Sequence, residues 1–310
     1  MALMDVGASV IDRLKNKSKK TRKPLQLYLQ LFCQEEFLRR LAASRFRDNL
    51  VLKGGLFIYA LTNFESRSTV DIDFLLRQYP SGVEDIKKMV DEIVAVDCGN
   101  DFVKYHSRGF ETISPQRNYA GVSFQLIGYI KNTRTPFDVD FGIGDVIVPR
   151  AHKRELPIQL EGFVPPAVMT YSLESTVAEK LDALLQRLEL TSRMKDMHDI
   201  YYLSNICAFD GRALQQAIFE TLQNRATSYE SDSFTRVIAL AQNKDIQLRW
   251  RQYLRRMKLE EPLLEDVMAS IDKFLRPVWQ AVVEETEVLG CWHCREQIWD
   301  SVTSSPTHHS

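Results

Sequence analysis

Lys53-Gly54-Gly55, followed further along by Arg67-Ser68-Thr69-Val70-Asp71-Ile72-Asp73-Phe74, decides how this chain is read. The two glycines end a short apolar run, Val51 and Leu52, and the apolar stretch from Leu56 to Asn63 predicts a helix. The second stretch alternates like a strand, and residues two apart on a strand project from the same face. Asp71 and Asp73 are therefore expected side by side. Two such carboxylates repel one another unless a cation lies between them. A hard oxygen-ligand pair suits Mg²⁺, which takes one or two carboxylates and lets substrate phosphates complete its shell. Glycines at a helix start let backbone N–H groups approach an anion closely. Together the two halves describe a phosphate-and-metal site. The plainer alternatives are an ordinary strand-to-helix turn and a pair of exposed strand acids.

The glycine pair, the helix and the Asp-x-Asp strand resemble the DNA polymerase β-like nucleotidyltransferase superfamily. Within it, Phe46 to Gly55 and the Arg67-x-Thr69-x-Asp71-Ile72-Asp73 stretch are similar to the AbiEii/AbiGii toxin family. So are the leader from Gln30 to Ser44 with Glu36-Phe37-Leu38-Arg39-Arg40-Leu41, the segment Asp140-Phe141-Gly142-Ile143-Gly144-Asp145, and Ala178-Glu179-Lys180-Leu181 through Arg187 followed by Lys195-Asp196-x-x-Asp199. The resemblance runs from about residue 25 to 205. It implies an α+β protein: a nucleotidyltransferase-type α/β domain with a mixed sheet, then an all-helical domain. It also implies a metal-dependent transfer of a nucleotide from an NTP to an acceptor hydroxyl, with pyrophosphate released. Mg²⁺ or Mn²⁺ is the implied cofactor. RNA, plausibly a tRNA 3′ end, is the implied acceptor, and a cognate antitoxin is the implied partner. A small-molecule or protein acceptor, and a nucleotide-binding sensor without turnover, are the alternative readings.

The residues can be weighed individually. Gly54 and Gly55 would cradle the phosphates, with Arg67 and Thr69 as further nucleotide contacts; strand propensity and surface salt bridging are the competing explanations. A third carboxylate is needed if metals are to clamp an in-line displacement. Asp138 and Asp140 share one face of the alternating stretch from Phe137 to Phe141, and geometry does not choose between them. The resemblance chooses Asp140, completing a metal set of Asp71, Asp73 and Asp140. Lys180 and Arg187, seven apart on one helix face, would bind the triphosphate, against the plainer reading of a solvated amphipathic helix. Asp196 and Asp199 share a helix face, and the resemblance makes one of them, Asp196 by preference, a catalytic acid. A helix N-cap is the alternative for Asp196. His198-Asp199 spells the dipeptide of metal phosphohydrolases, but six histidines are too few for that site.

Size and composition fit this outline. A chain of 310 residues accommodates one large or two ordinary domains. Strand signals dominate from Val51 to about Val148. Pro149, Pro157, Pro165 and Pro166 mark a connector, and the pattern from Leu173 to about Val288 is helical. The expected division is 1–150, with a helical leader, then 151–300, then a disordered tail over 301–310. The formal charge of −1 leaves no global basic field, so nucleic acid would have to be met locally. Two segments offer this. Arg13 to Lys23 has seven basic residues and no acid, and Arg249 to Lys258 mixes five with Trp250 and Tyr253. Cations for phosphates and aromatic faces for bases suit RNA ends; snorkelling arginines on a helix surface are the alternative. No apolar run approaches the ~18 residues of a spanning helix. Five scattered cysteines argue against a disulfide scaffold and for a reducing cytoplasm. Cys291-Trp292-His293-Cys294 lacks the second ligand pair of a structural zinc site and reads as a cysteine pair near a helix end.

Overall fold

The computed structural model describes residues 5–113, 121–260 and 262–300, so the 301–310 tail lies outside the described residues. The chain divides into two compact units. One comprises residues up to Asp145 together with Ala151–Tyr171; the other comprises Val146–Arg150 and the chain from Ser172 onward.

The first unit is built on a seven-stranded mixed sheet. In chain order its elements are α1 (Val6–Thr21), α2 (Leu25–Ala43), β1 (Leu50–Lys53), α3 (Gly54–Leu61), β2 (Ile72–Leu76), α4 (Val83–Ala95), β3 (Val103–Ile113), β4 (Gly121–Ile130), β5 (Thr133–Ile143), β6 (His152–Glu155) and β7 (Ala167–Thr170). The spatial order is β3-β4-β5-β2-β1-β7-β6. β3, β4 and β5 form an antiparallel meander, β2 runs parallel to β5, and β1 is antiparallel to β2 but parallel to β7. Residues 151–171 are therefore not the connector their prolines suggested. They form a hairpin at the sheet edge, and Pro157, Pro165 and Pro166 fall in the loop between its two strands. Four-residue strands are too short for alternation to declare them.

α2 is buried from Leu27 to Leu41 and covers the sheet's apolar face. Phe37 lies 6.2 Å from Phe74 of β2, which stacks at 6.0 Å on Phe141 of β5. This helix also buries charge. Glu36, fully inaccessible, accepts from Arg39 Nη1 at 3.0 Å, Arg40 Nε at 3.2 Å and Asn100 Nδ2 at 2.7 Å. Burial pushes its carboxyl pKa upward. The two arginines reach on to backbone: Arg39 Nε donates to Val164 O at 2.6 Å and Arg40 Nη2 to Val103 O at 2.8 Å. The leader motif Glu36 to Leu41 is thus a clamp that fixes α2 to the 160s loop and to the start of β3.

The second unit is mainly helical: α5 (Leu173–Arg187), α6 (Met194–Ile206), α7 (Gly211–Asn224), α8 (Ser233–Ala239), α9 (Lys244–Met257) and α10 (Leu264–Val283). It also carries a small antiparallel sheet of β8 (Phe209–Asp210), β9 (Cys291–His293) and β10 (Ile298–Trp299), strands too short to show a period. Cys291 and Cys294 therefore sit on and just beyond a strand, not at a helix end. Trp292 is fully buried, and its Nε1 donates to Ser204 O at 2.6 Å. None of the described helices is long and apolar enough to cross a membrane.

Candidate active site

The site is set by strand register. Lys53 of β1 is paired with Asp73 of β2, and Asp73 with Asp140 of β5. Residues directly opposite in a sheet point to the same face, so Lys53, Asp73 and Asp140 form one charged row across three neighbouring strands. Alternation sends Phe74 and Phe141 the other way, into the core under α2. Ser123 of β4, paired with Asp140, donates from Oγ to Asp140 Oδ1 at 2.6 Å and fixes that carboxylate. Asp138 lies just outside the β2–β5 register and accepts from Gln125 Nε2 at 3.3 Å. Asp71, expected on the strand with Asp73, stands one residue before β2 begins, half-buried like Asp73 and Asp140.

The glycines are pressed against these acids. Gly54 has φ +67°, and a Cβ there would fall 2.1 Å from Asp73 Oδ2 and 2.9 Å from Asp73 Cβ. A Cβ on Gly55 would fall 2.9 Å from Thr69 Oγ1 and 3.4 Å from Arg67 Nη2. The turn, the Arg67–Asp71 loop and the start of β2 are thus in contact, as their spacing along the chain suggests. Arg67 is buried at 8% exposure and Thr69 is half-buried. Lys53, to which the motif alone gives no role, joins the site as well. Its Nζ lies 2.6 Å from Asp145 Oδ2, with the two side chains 12% and 4% exposed, and 5.2 Å from the centre of the Tyr171 ring. The one clue to it in the sequence is its position, immediately ahead of the glycines.

The donor chemistry suits a hard divalent cation. Asp73, Asp140 and the adjacent Asp71 offer only oxygen, and the bare glycine turn leaves space beside them for an anion. Among the described residues no three His, Cys, Asp or Glu side chains are gathered tightly enough to hold a metal by themselves. Asp71, Asp73 and Asp140 are therefore not a preassembled three-ligand cage. That fits Mg²⁺ or Mn²⁺ arriving with a nucleotide, whose phosphate oxygens and waters complete the shell.

In the second unit the structure regroups the predicted residues. Lys180 of α5 is buried at 9% exposure, contrary to a solvated face. Its Nζ lies 3.0 Å from Asp196 Oδ1 and 2.7 Å from Asp199 Oδ2, both acids almost fully buried on α6. Arg193 Nε lies 2.7 Å from Asp196 Oδ2. Asp196 is not the N-cap of α6, a position held by Arg193 with no side-chain bond. Arg187, expected to act with Lys180, is exposed at the last turn of α5.

The basic segment on α9 is split by its helical period. Arg249, Arg251, Arg255, Arg256 and Lys258 are exposed or half-exposed, whereas Trp250 and Tyr253 are 1% and 4% exposed and turn inward. Trp250 Nε1 donates to Pro262 O at 3.0 Å. The two aromatics are core residues and offer no stacking face for a base, which corrects the expectation that they would meet RNA. The N-terminal basic run is also divided. Lys17 Nζ donates to Gln159 O at 2.8 Å and Lys23 Nζ to Tyr59 Oη at 3.3 Å, while Lys15, Lys19, Lys20 and Arg22 face outward.

A family model described as the nucleotidyl transferase AbiEii toxin of type IV toxin–antitoxin systems matches residues 36–284. No curated protein matches the sequence. Among solved structures, the nucleotidyltransferase toxin MenT4 (Rv2826c) of Mycobacterium tuberculosis H37Rv is similar at a TM-score of 0.52 and 16% identity, over 91% of this chain and 99% of that one. JHP933 of Helicobacter pylori is similar at a TM-score of 0.42 and 13% identity, over 82% of this chain and 91% of that one. At such identities the MenT4 likeness is one of fold.

Proposed function

The chain belongs to the nucleotidyl transferase AbiEii toxin family of type IV toxin–antitoxin systems, and from that premise we propose a metal-dependent transfer of a nucleotide from an NTP to a hydroxyl of RNA, plausibly a tRNA 3′ end. The observation that carries the reading is the row of Asp73 and Asp140 with the Gly54 turn packed on Asp73. Asp71, Asp73 and Asp140 would hold Mg²⁺ or Mn²⁺, which when bound neutralises phosphate charge and aligns the reacting oxygens. Backbone N–H groups from Gly54 and Gly55 receive phosphate oxygens at the start of α3, with Thr69 and Arg67 beside them. The acceptor oxygen bonds to the α-phosphorus as the bond to the β-phosphate oxygen breaks, and pyrophosphate leaves. Lys180, fixed between Asp196 and Asp199, is the helical unit's proposed cation for the triphosphate, with Arg187 as the second. Asp196 and Asp199 serve as its counter-charges. The exposed cations of α9 support RNA as acceptor through its phosphates. Membership of a toxin–antitoxin family supports a cognate antitoxin as partner.

The test is incubation with each α-labelled NTP, Mg²⁺ and total cellular RNA. The expected result is a discrete labelled species that ribonuclease destroys. A labelled species resistant to ribonuclease would instead make a protein or small molecule the acceptor. No labelled species with any NTP would overturn the reading.

A further inference from the structure

Gln34 is a buried amide among apolar neighbours, 1% exposed, on the face of α2 turned to the sheet unit's core. Its Nε2 donates to the backbone oxygen of Val70 at 2.7 Å, and its Oε1 has no hydrogen-bond partner. Burying half an amide unpaired costs stability, so this side chain is held in the core for the single bond it makes. That bond ends on the peptide that joins Val70 to Asp71. Asp71 lies one residue before β2 begins, beyond the ladder that fixes Asp73 and Asp140. Strand hydrogen bonds position two of the three acids; the third has no such frame.

We propose that Gln34 is the positioning residue for Asp71: by holding the Val70 carbonyl it sets where the Asp71 carboxylate stands relative to Asp73 and Asp140. The proposal rests on the reading of Asp71 as a metal ligand. Groups that orient metal ligands typically change metal affinity 10–100-fold when removed. Gln34→Met keeps the volume and deletes the donor. Gln34→Glu is nearly isosteric and, ionised, cannot donate.

The experiment measures Mn²⁺ binding to the full chain, from the electron paramagnetic resonance signal of free Mn²⁺, alongside the Mg²⁺ concentration for half-maximal pyrophosphate release. Asp71→Asn is the control. Both Gln34 variants are expected to weaken Mn²⁺ binding about tenfold and to raise the Mg²⁺ midpoint by a similar factor. A packing role would move the melting temperature and neither metal value. If Asp71→Asn leaves Mn²⁺ affinity and turnover intact, the ligand reading itself fails. If Asp71→Asn weakens both and the Gln34 variants weaken neither, the positioning role is overturned. Failure of both Gln34 variants to fold would also overturn it, by making Gln34 a residue of the fold alone.

Discussion

Replacing Gly54 by alanine tests whether the glycine turn and the acid strand are one device. Two costs follow from the structure. The backbone at φ +67° is left-handed, which costs a residue with a Cβ about 1–2 kcal/mol. The new Cβ would also fall 2.1, 2.7 and 2.9 Å from Oδ2, Cγ and Cβ of Asp73. Turning the Asp73 side chain relieves the first two contacts at about 0.5–1.5 kcal/mol of rotamer strain. The third is tied to the β2 backbone and forces strand and turn apart. The expected loss is about 2–3 kcal/mol, or roughly 4–12 °C in melting temperature for a domain of this size. A displacement near 1 Å at a reacting centre costs about a hundredfold in rate, so turnover should fall far more than stability. Gly99→Ala is the control: its φ is +74°, but no atom lies within 4 Å of its Cβ position. It should show the backbone cost alone, with full activity. The assay pairs thermal melting with pyrophosphate release. A Gly54→Ala protein matching Gly99→Ala in both would refute the reasoning.

Lys180→Met strands the buried acids Asp196 and Asp199 without their shared cation, so stability should drop by about 3–5 kcal/mol, read by chemical denaturation; an unchanged midpoint would deny the pairing. Changing Arg251, Arg255 and Arg256 together to Ala should weaken RNA binding and lower the slope of log K against log salt by about one unit for each phosphate no longer neutralised, with nucleotide binding intact. At pH 8 a thiol reagent should modify exposed Cys291 first and Cys33 only on unfolding, because burial pushes the Cys33 thiol up to about 12; early labelling of Cys33 would contradict its burial.

Sequence spacing reveals the acid strand because the alternation of β2 and β5 is strict: Phe74 and Phe141 go to the core, and Asp73 and Asp140 go to the other face. It does not reveal that Asp73 and Asp140 are paired in register, since that depends on β5 pairing parallel to β2 across the sheet. The Asp138/Asp140 ambiguity needs this pairing and the Ser123 hydroxyl. Lys180 reads as a surface cation because helical periodicity places it off the leucine stripe. Only tertiary packing shows that α6 delivers two carboxylates to it. Trp250 and Tyr253 mislead in the opposite direction: adjacent basic residues make them look exposed, when the same period that exposes the arginines buries the rings. β6, β7 and the small sheet escape notice because strands of two to four residues carry no period.

The most direct test of the account is pyrophosphate release from an NTP by the wild-type chain, Asp73→Asn and Asp140→Asn, with Mg²⁺ and with chelator. The account predicts release by the wild type only with Mg²⁺. It predicts losses of several orders of magnitude in both variants, whose melting temperatures hold or rise as the carboxylate repulsion is relieved. Undiminished release by folded Asp73→Asn, or by the wild type in chelator, would contradict it.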